Sequence, residues 1–294
     1  MAHKAGFVNI LGRPNAGKST LMNALVGERL SIINPKAQTT RHRIVGIVND
    51  DDHQVVYSDT PGILDPKYSL QNEMMAAVRS ALRDADIIVF MIDVTDKNTD
   101  FHGLDAILND MDIPLIAVLN KIDLSDQEKV EESVAQCAER FPKAEIIPMS
   151  AMHGFGVDQL KARVLELLPE SPPYFEKDAL TDRPMRFFVS EIIRERILSN
   201  YQKEIPYSVQ VEVEEYKEEE HITRILAVIY VERKSQKGIL IGHKGEKLKR
   251  VGMESRLNIE KFIDGKVFLE LRVKVDEGWR NKENRLKAYG YKNR

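Results

Sequence analysis

Two hydrophobic periods alternate along the first half of the chain. Short apolar runs rich in Val and Ile, at residues 5–11, 54–58, 86–92, 113–119 and 145–149, read as strands. Between most of them, residues 18–27, 69–84, 100–110, 127–140 and 157–168 carry apolar positions at helical spacing. Strands alternating with helices predict a mostly parallel sheet with helices on both faces. Residues 43–49 precede the 54–58 run across the turn Asp50-Asp51-Asp52, which predicts a hairpin and one antiparallel strand.

The pattern changes in the second half. Residues 187–201 have helical spacing, with Ile192, Ile193, Ile197 and Tyr201 toward one face. In 207–215, Val209, Val211 and Val213 alternate with Gln210, Glu212 and Glu214, as in a half-buried strand. A second strand, 222–232, is joined to it through Glu218-Glu219-Glu220. The apolar segment Ile239-Leu240-Ile241, a glycine loop, a helical stretch through Phe262 and a third strand, 267–273, follow. The order helix, two strands, two helices, strand predicts an α+β unit.

With 294 residues, about two domains are expected. The break falls where Pro169, Pro172, Pro173 and Pro184 cluster, giving a first domain at 1–170, an extended linker at 171–184 and a second domain at 185–294. One cysteine, Cys137, excludes an intrachain disulfide and favours a reducing compartment. No apolar run reaches the ~18 residues of a membrane span. Met1-Ala2-His3-Lys4 leads straight into the first strand with no signal-peptide pattern. The net charge of −3 argues on its face against a nucleic-acid ligand. Residues 1–179, however, hold 18 basic and 27 acidic side chains, a balance of −9, and residues 180–294 hold 25 and 19, a balance of +6. That asymmetry is a reason to suspect an acidic partner for the second half, with a chance imbalance across two domains as the other reading.

Gly12-Arg13-Pro14-Asn15-Ala16-Gly17-Lys18-Ser19 fits the phosphate-loop pattern GxxxxGK[ST], after a strand and opening a helix that continues with Thr20. The glycines let the loop wrap phosphate oxygens, backbone N–H groups form an anion nest, and the helix adds its positive end. Lys18 is expected on the terminal phosphates and the Ser19 hydroxyl on Mg²⁺. Asp59-Thr60-Pro61-Gly62, followed by Ile63, ends another strand; Asp59 is expected to hold Mg²⁺ through water and Gly62 to offer its N–H to the γ-phosphate. Asn120-Lys121-Ile122-Asp123 ends a third. The Asp123 carboxylate accepts the two donors on the N1/N2 edge of guanine, a pair that adenine lacks, so GTP is favoured over ATP. The Lys121 stem would lie along the base. Backbone at Ser150-Ala151 would meet the guanine carbonyl oxygen.

Phosphate loop, DTPG, NKID and SA, in that order, resemble the small GTPases of the translation-factor-related class. That resemblance implies a metal-binding, γ-phosphate-sensing threonine within Gln38-Thr39-Thr40-Arg41, assigned to Thr40. It makes Lys18, Thr40, Asp59 and Gly62 the catalytic set. Ras-like enzymes carry a water-orienting glutamine after the DTxG glycine; here that position is Ile63, so backbone, another residue, a partner or a cation must act instead. Asn15 resembles the asparagine that binds K⁺ in some relatives, where the cation supplies positive charge in the absence of an arginine finger. Slow intrinsic turnover is expected.

Gly242-His243-Lys244-Gly245 is a GxxG loop between Ile239-Leu240-Ile241 and the basic helix start Glu246-Lys247-Leu248-Lys249-Arg250. This setting resembles a KH domain of the type with an N-terminal helix and hairpin (type II), whose GxxG loop clamps about four nucleotides. His243 and Lys244 would face phosphates and Ile239 and Ile241 would floor the bases. Lys237, Lys244, Lys247, Lys249 and Arg250 would supply positive field. A P-loop G domain joined to a C-terminal KH domain, with Gln38-Thr39-Thr40-Arg41-His42, Asp59-Thr60-Pro61-Gly62-Ile63, Pro206-Tyr207-Ser208-Val209 and Gly242-His243-Lys244-Gly245, is similar to the Era family of bacterial GTPases over essentially the whole chain. The resemblance implies a monomeric GTP/GDP switch bound near the 3′ end of 16S rRNA in 30S ribosomal subunit maturation, cytoplasmic with peripheral inner-membrane contact. The alternative is an RNA-binding assembly factor that uses nucleotide for conformation with little turnover. A membrane-trafficking GTPase is disfavoured, since Tyr291-Lys292-Asn293-Arg294 carries no lipidation motif.

Overall fold

The computed structural model describes residues 2–98 and 100–292; Thr99, and Asn293 and Arg294 of the C-terminal motif considered above, lie outside the described residues. The chain divides into two compact units, one of residues up to Lys67 with Gln71–Asp182, the other from Arg183 onward with Tyr68–Leu70.

The first unit is a six-stranded sheet. Its strands are β1 (Lys4–Gly12), β2 (Ile44–Asn49), β3 (His53–Asp59), β4 (Ile87–Asp93), β5 (Leu115–Asn120) and β6 (Glu145–Met149), in the order β2-β3-β1-β4-β5-β6. β2 pairs antiparallel with β3 and every other pairing is parallel. The helices are α1 (Lys18–Val26), α2 (Ser69–Arg83), α3 (Leu104–Asp110), α4 (Gln127–Arg140) and α5 (Val157–Leu167). Central strands of a parallel sheet are covered on both faces, so they read as continuous apolar runs rather than alternating ones. Val8, Ile10, Ile88, Val89, Phe90, Met91, Ala117 and Val118 are accordingly buried. The carboxyl ends of β1, β3, β5 and β6 deliver the phosphate loop, DTPG, NKID and SA to one edge, where open α/β sheets place their ligands.

The proline-rich stretch departs from the expected extended linker. Residues up to Asp182 belong to the first unit and are strapped across the β2–β3 hairpin. The Ile47 N–H donates to the Leu180 carbonyl at 2.8 Å, and Thr181 Oγ1 donates to the Val45 carbonyl at 2.6 Å. The Gln54 amide accepts from the N–H groups of Tyr174 and Phe175 and donates to the Phe175 carbonyl. β2 is an edge strand, and covering its unpaired backbone is the physical reason.

The second unit runs α6 (Met185–Asn200), α7 (Ile205–Ser208), β7 (Gln210–Glu218), β8 (Thr223–Val231), α8 (Lys234–Ile241), α9 (Glu246–Ile263), β9 (Val267–Val275) and α10 (Glu283–Ala288). β8 is central, with β7 antiparallel and β9 parallel to it. Ile193, Ile197, Val209, Val211, Ile229, Leu240, Val251 and Ile259 close its core, joining both predicted helical faces to the alternating strand positions. The apolar segment 239–241 is the last turn of α8. After β9 the chain is anchored at Trp279, which is fully buried and whose Nε1–H donates to the Ser208 carbonyl at 3.0 Å.

Candidate functional sites

A cavity of about 440 Å³ opens at the carboxyl edge of the six-stranded sheet, lined by Pro14, Asn15, Gly17, Lys18, Ser19, Thr20, Thr40, Gly62 and Lys121 together with residues 32–35, 38 and 39 and Met152. The loop that forms its floor needs left-handed backbone at Asn15 (φ 64°) and Gly17 (φ 103°). A Cβ on Gly17 would stand 2.2 Å from Asn120 Nδ2, so no other residue fits there. Asn120 is itself a brace: Nδ2 donates to the Ala16 carbonyl at 2.7 Å and Oδ1 accepts from the Ala151 N–H at 2.9 Å. One side chain thus ties NKID, the phosphate loop and the SA turn together.

Lys18 is 5 % exposed, and its ammonium donates to the carbonyls of Gly12 and Arg13 at 3.0 and 2.8 Å. Burial pulls its pKa down to about 8, against the opposing attraction of Asp59. Ser19 Oγ donates to Asp59 Oδ2 at 2.7 Å, Thr40 Oγ1 donates to the same oxygen at 3.1 Å, and the two hydroxyl oxygens lie 2.9 Å apart. Asp59 is fully buried and its Oδ1 has no hydrogen-bond partner among the described residues. Burial raises the Asp59 pKa, while Lys18 and the hydroxyls pull it back. Two hydroxyls, a buried carboxylate and an orphaned carboxylate oxygen form an all-oxygen donor set, the chemistry that suits Mg²⁺. The adjacent Thr39 is turned away: its hydroxyl donates to the carbonyls of Asn34 and Lys36.

Several motif residues serve by structure rather than contact. Thr60 Oγ1 donates to the Ile10 carbonyl, and Ile63, 5 % exposed, donates its N–H to the Gly12 carbonyl at 3.1 Å. The Arg13 guanidinium points to the β4–α3 loop, with Nε 3.0 Å from Asp96 Oδ2 and Nη1 2.5 Å from the Asp100 carbonyl. Asn15 Nδ2 donates to the Pro35 carbonyl at 2.8 Å. Ile122 lies in a single 3-10 turn that carries Asp123. Lys121 is held by Asp93 at 2.5 Å. Asp123 accepts from Ser150 Oγ at 2.5 Å and has His153 Nε2 3.6 Å from its other oxygen. Met152 and residues 32–35 carry no motif signal, and only folding brings them to the cavity, as it brings Asp93 to Lys121 and His153 to Asp123.

In the second unit α8 stops at Gly242 (φ 75°), where a Cβ would strike Lys247 Cγ at 2.7 Å. His243 and Lys244 stand exposed in the following turn. Ile239 is 43 % exposed, whereas Ile241 packs partly into the core, so of the two predicted floor residues Ile239 is the open one. Lys237, Lys244, Lys247 and Lys249 have no partner among the described residues, while Arg250 is paired with Glu254 at 2.8 Å. A groove of about 410 Å³ runs along α9 and β9, bounded by Gly245, Leu248, Lys249, Gly252, Met253, Arg256, Leu269 and Leu271. Gly245 and Lys249 were expected there; Gly252, Met253, Arg256, Leu269 and Leu271 were not. Their signal was present in the 3–4 residue spacing of 248, 252, 253 and 256 and the alternation of 269 and 271.

Residues 7–121 match the family described as 50S ribosome-binding GTPase, and residues 204–280 match the KH domain family. The chain is 46% identical over 290 residues to a GTPase Era of Geotalea uraniireducens, covering 98% of each chain. It is 43% identical over 292 residues to one of Staphylococcus haemolyticus, covering 98% and 97%. Among solved structures it is similar to Era in complex with MgGDPNP and nucleotides 1506–1542 of 16S ribosomal RNA, with TM-score 0.94, 37% identity, and 99% and 100% coverage. An Aquifex aeolicus Era variant bound to GDP·AlF4⁻ gives TM-score 0.93 at 37% identity, with the same coverage.

Proposed function

This chain belongs to the Era family of GTPases and hydrolyses GTP, and from that premise we propose that it is a nucleotide switch that binds single-stranded RNA at the 3′ end of 16S rRNA during 30S subunit assembly. The observation that carries the reading is the pairing of two complete sites in one chain, the Ser19–Thr40–Asp59 cluster beside Lys18 and the exposed GxxG groove. The similar Era structure holds MgGDPNP and a 16S fragment.

Ser19, Thr40 and Asp59 would hold Mg²⁺, which supplies charge neutralisation at the β- and γ-phosphates. Lys18 exchanges its two carbonyl partners for phosphate oxygens, and its charge is then satisfied in a site that otherwise penalises it. Asp123, steadied by Ser150, reads guanine. Thr40 changes partner between nucleotide states, so the segment around it reports the γ-phosphate. Ile63 is buried and its side chain forms no hydrogen bond, so water orientation falls to backbone and to cationic charge. K⁺ near Asn15 is part of the proposal, and equal hydrolysis rates in KCl and NaCl would exclude it. Cytoplasmic residence as a monomer with peripheral membrane contact belongs to it also. Among the described residues no helix is long and apolar enough to cross a membrane. Cell fractionation and size-exclusion chromatography test those two points.

The RNA assignment is tested by crosslinking the chain to RNA in cells and sequencing the fragments. Reads concentrated at the 3′ end of 16S rRNA are expected, and reads spread without that peak would refute it.

A further inference from the structure

A second groove of the first unit shares no lining residue with the phosphate cavity. It measures about 350 Å³ and runs between the segment after DTPG (Ile63–Pro66), α2 and α3. Its floor is aliphatic, with Met75, Val78, Leu82 and Leu104 buried and Ile107 at its lip half exposed. Three ionisable side chains line it. Asp65 is paired with Lys67 and His102 with Asp100, but Arg79 is exposed and has no partner among the described residues. Arg83, one turn further along α2, is likewise exposed and unpaired among them. An apolar slot between two helices with uncompensated cationic charge on one rim fits the apolar face of a helix whose flank is acidic.

We propose that this α2–α3 groove docks an acidic, amphipathic helix of a partner protein. RNA is the poorer occupant. Of the two aromatic rings in the lining, Phe101 is 4 % exposed and presents no face for a base to stack on, and the His102 imidazole is engaged by Asp100. Both walls are tied to the phosphate loop, one by the Ile63 N–H on the Gly12 carbonyl and the other by Arg13 on Asp96 and Asp100. A partner in the groove is therefore linked to the state of the nucleotide site, in both directions.

The test is selection of a displayed library of helical peptides against the full-length protein loaded with GDP and, separately, with a non-hydrolysable GTP analogue. Enriched peptides should carry apolar residues at i, i+4 and i+7 with net negative charge, and their affinities should differ at least about twofold between the two states. Arg79→Glu and Ile107→Glu, both surface changes, should leave GTP affinity unchanged and weaken the peptides at least about tenfold. A peptide with its acidic residues exchanged for lysine should recover binding to Arg79→Glu. Neutral or basic enriched peptides, binding that survives both substitutions, equal affinity in both nucleotide states, or no enrichment would overturn the proposal. So would a single-stranded RNA probe whose binding is lost in the same two variants.

Discussion

At the phosphate cavity, Lys18, Thr40 and Asp59 are buried and bonded within a tight set of loops, whereas Lys244, Lys247 and Lys249, in and just after the GxxG loop, stand in solvent without partners among the described residues. Burial displaces the ionisation of the first set, the pKa of Lys18 going down to about 8 and that of Asp59 going up. The second set is left to act through field and reach. A buried charge discriminates sharply, because whatever enters must replace what water gave up. An exposed charge attracts any phosphate and is weakened by salt. The two sites therefore differ in kind, the first selecting by burial and fixed geometry and the second by field and reach.

That contrast breaks most visibly if Lys18 is removed. Lys18→Met should lower single-turnover GTP hydrolysis by about 10²–10³ while leaving RNA affinity intact, by analogy with losing one donor to a developing charge. Equal hydrolysis rates would make the cavity a binding site only. Next is Asn120→Ala, which orphans the Ala16 carbonyl and the Ala151 N–H together. A loss of about 3 kcal/mol in denaturant unfolding is expected, at 1–3 kcal/mol per buried group left unsatisfied. The corresponding surface change, Lys249→Ala, should cost no more than about 0.5 kcal/mol.

Charge reversal at both Lys244 and Lys247 should weaken RNA binding by more than about tenfold at 0.1 M salt and flatten the log–log salt dependence by about 1.4. GTP affinity should not move; a parallel fall in GTP affinity would show that the two sites are not separate. The smallest effect is one of pH. Free Lys18 is charged below about pH 8, so GTP affinity should be flat well below that value and fall about fivefold over the pH unit above it, because binding must then recruit a proton. Lys18→Met should abolish the slope. The stability of the nucleotide-free protein runs the opposite way. Between about pH 8 and the unfolded value of 10.5 the unfolded chain holds the extra proton, so this lysine's contribution to folding becomes more favourable as pH rises.

Much of this was legible without coordinates. The alternation of apolar runs and helical stretches located every strand and helix of the first unit to within a few residues, because buried parallel strands leave no ambiguity of face. The four GTPase motifs were equally plain, since phosphate, Mg²⁺ and guanine each demand particular atoms at the end of a strand. Tertiary structure alone decided the rest. For Thr40, which the resemblance had already assigned, it added the geometry, turning its hydroxyl onto Asp59 and that of Thr39 into its own loop. It made Asn120 a brace and Arg13 a clasp, bonds that reach 104 and 87 residues along the chain. It strapped the proline-rich stretch onto β2, set Met253 and Leu271 along a groove that starts at Gly245, and opened the α2–α3 groove. Local pattern determines which way a residue faces within its own element, but which distant atoms it meets depends on how the elements pack.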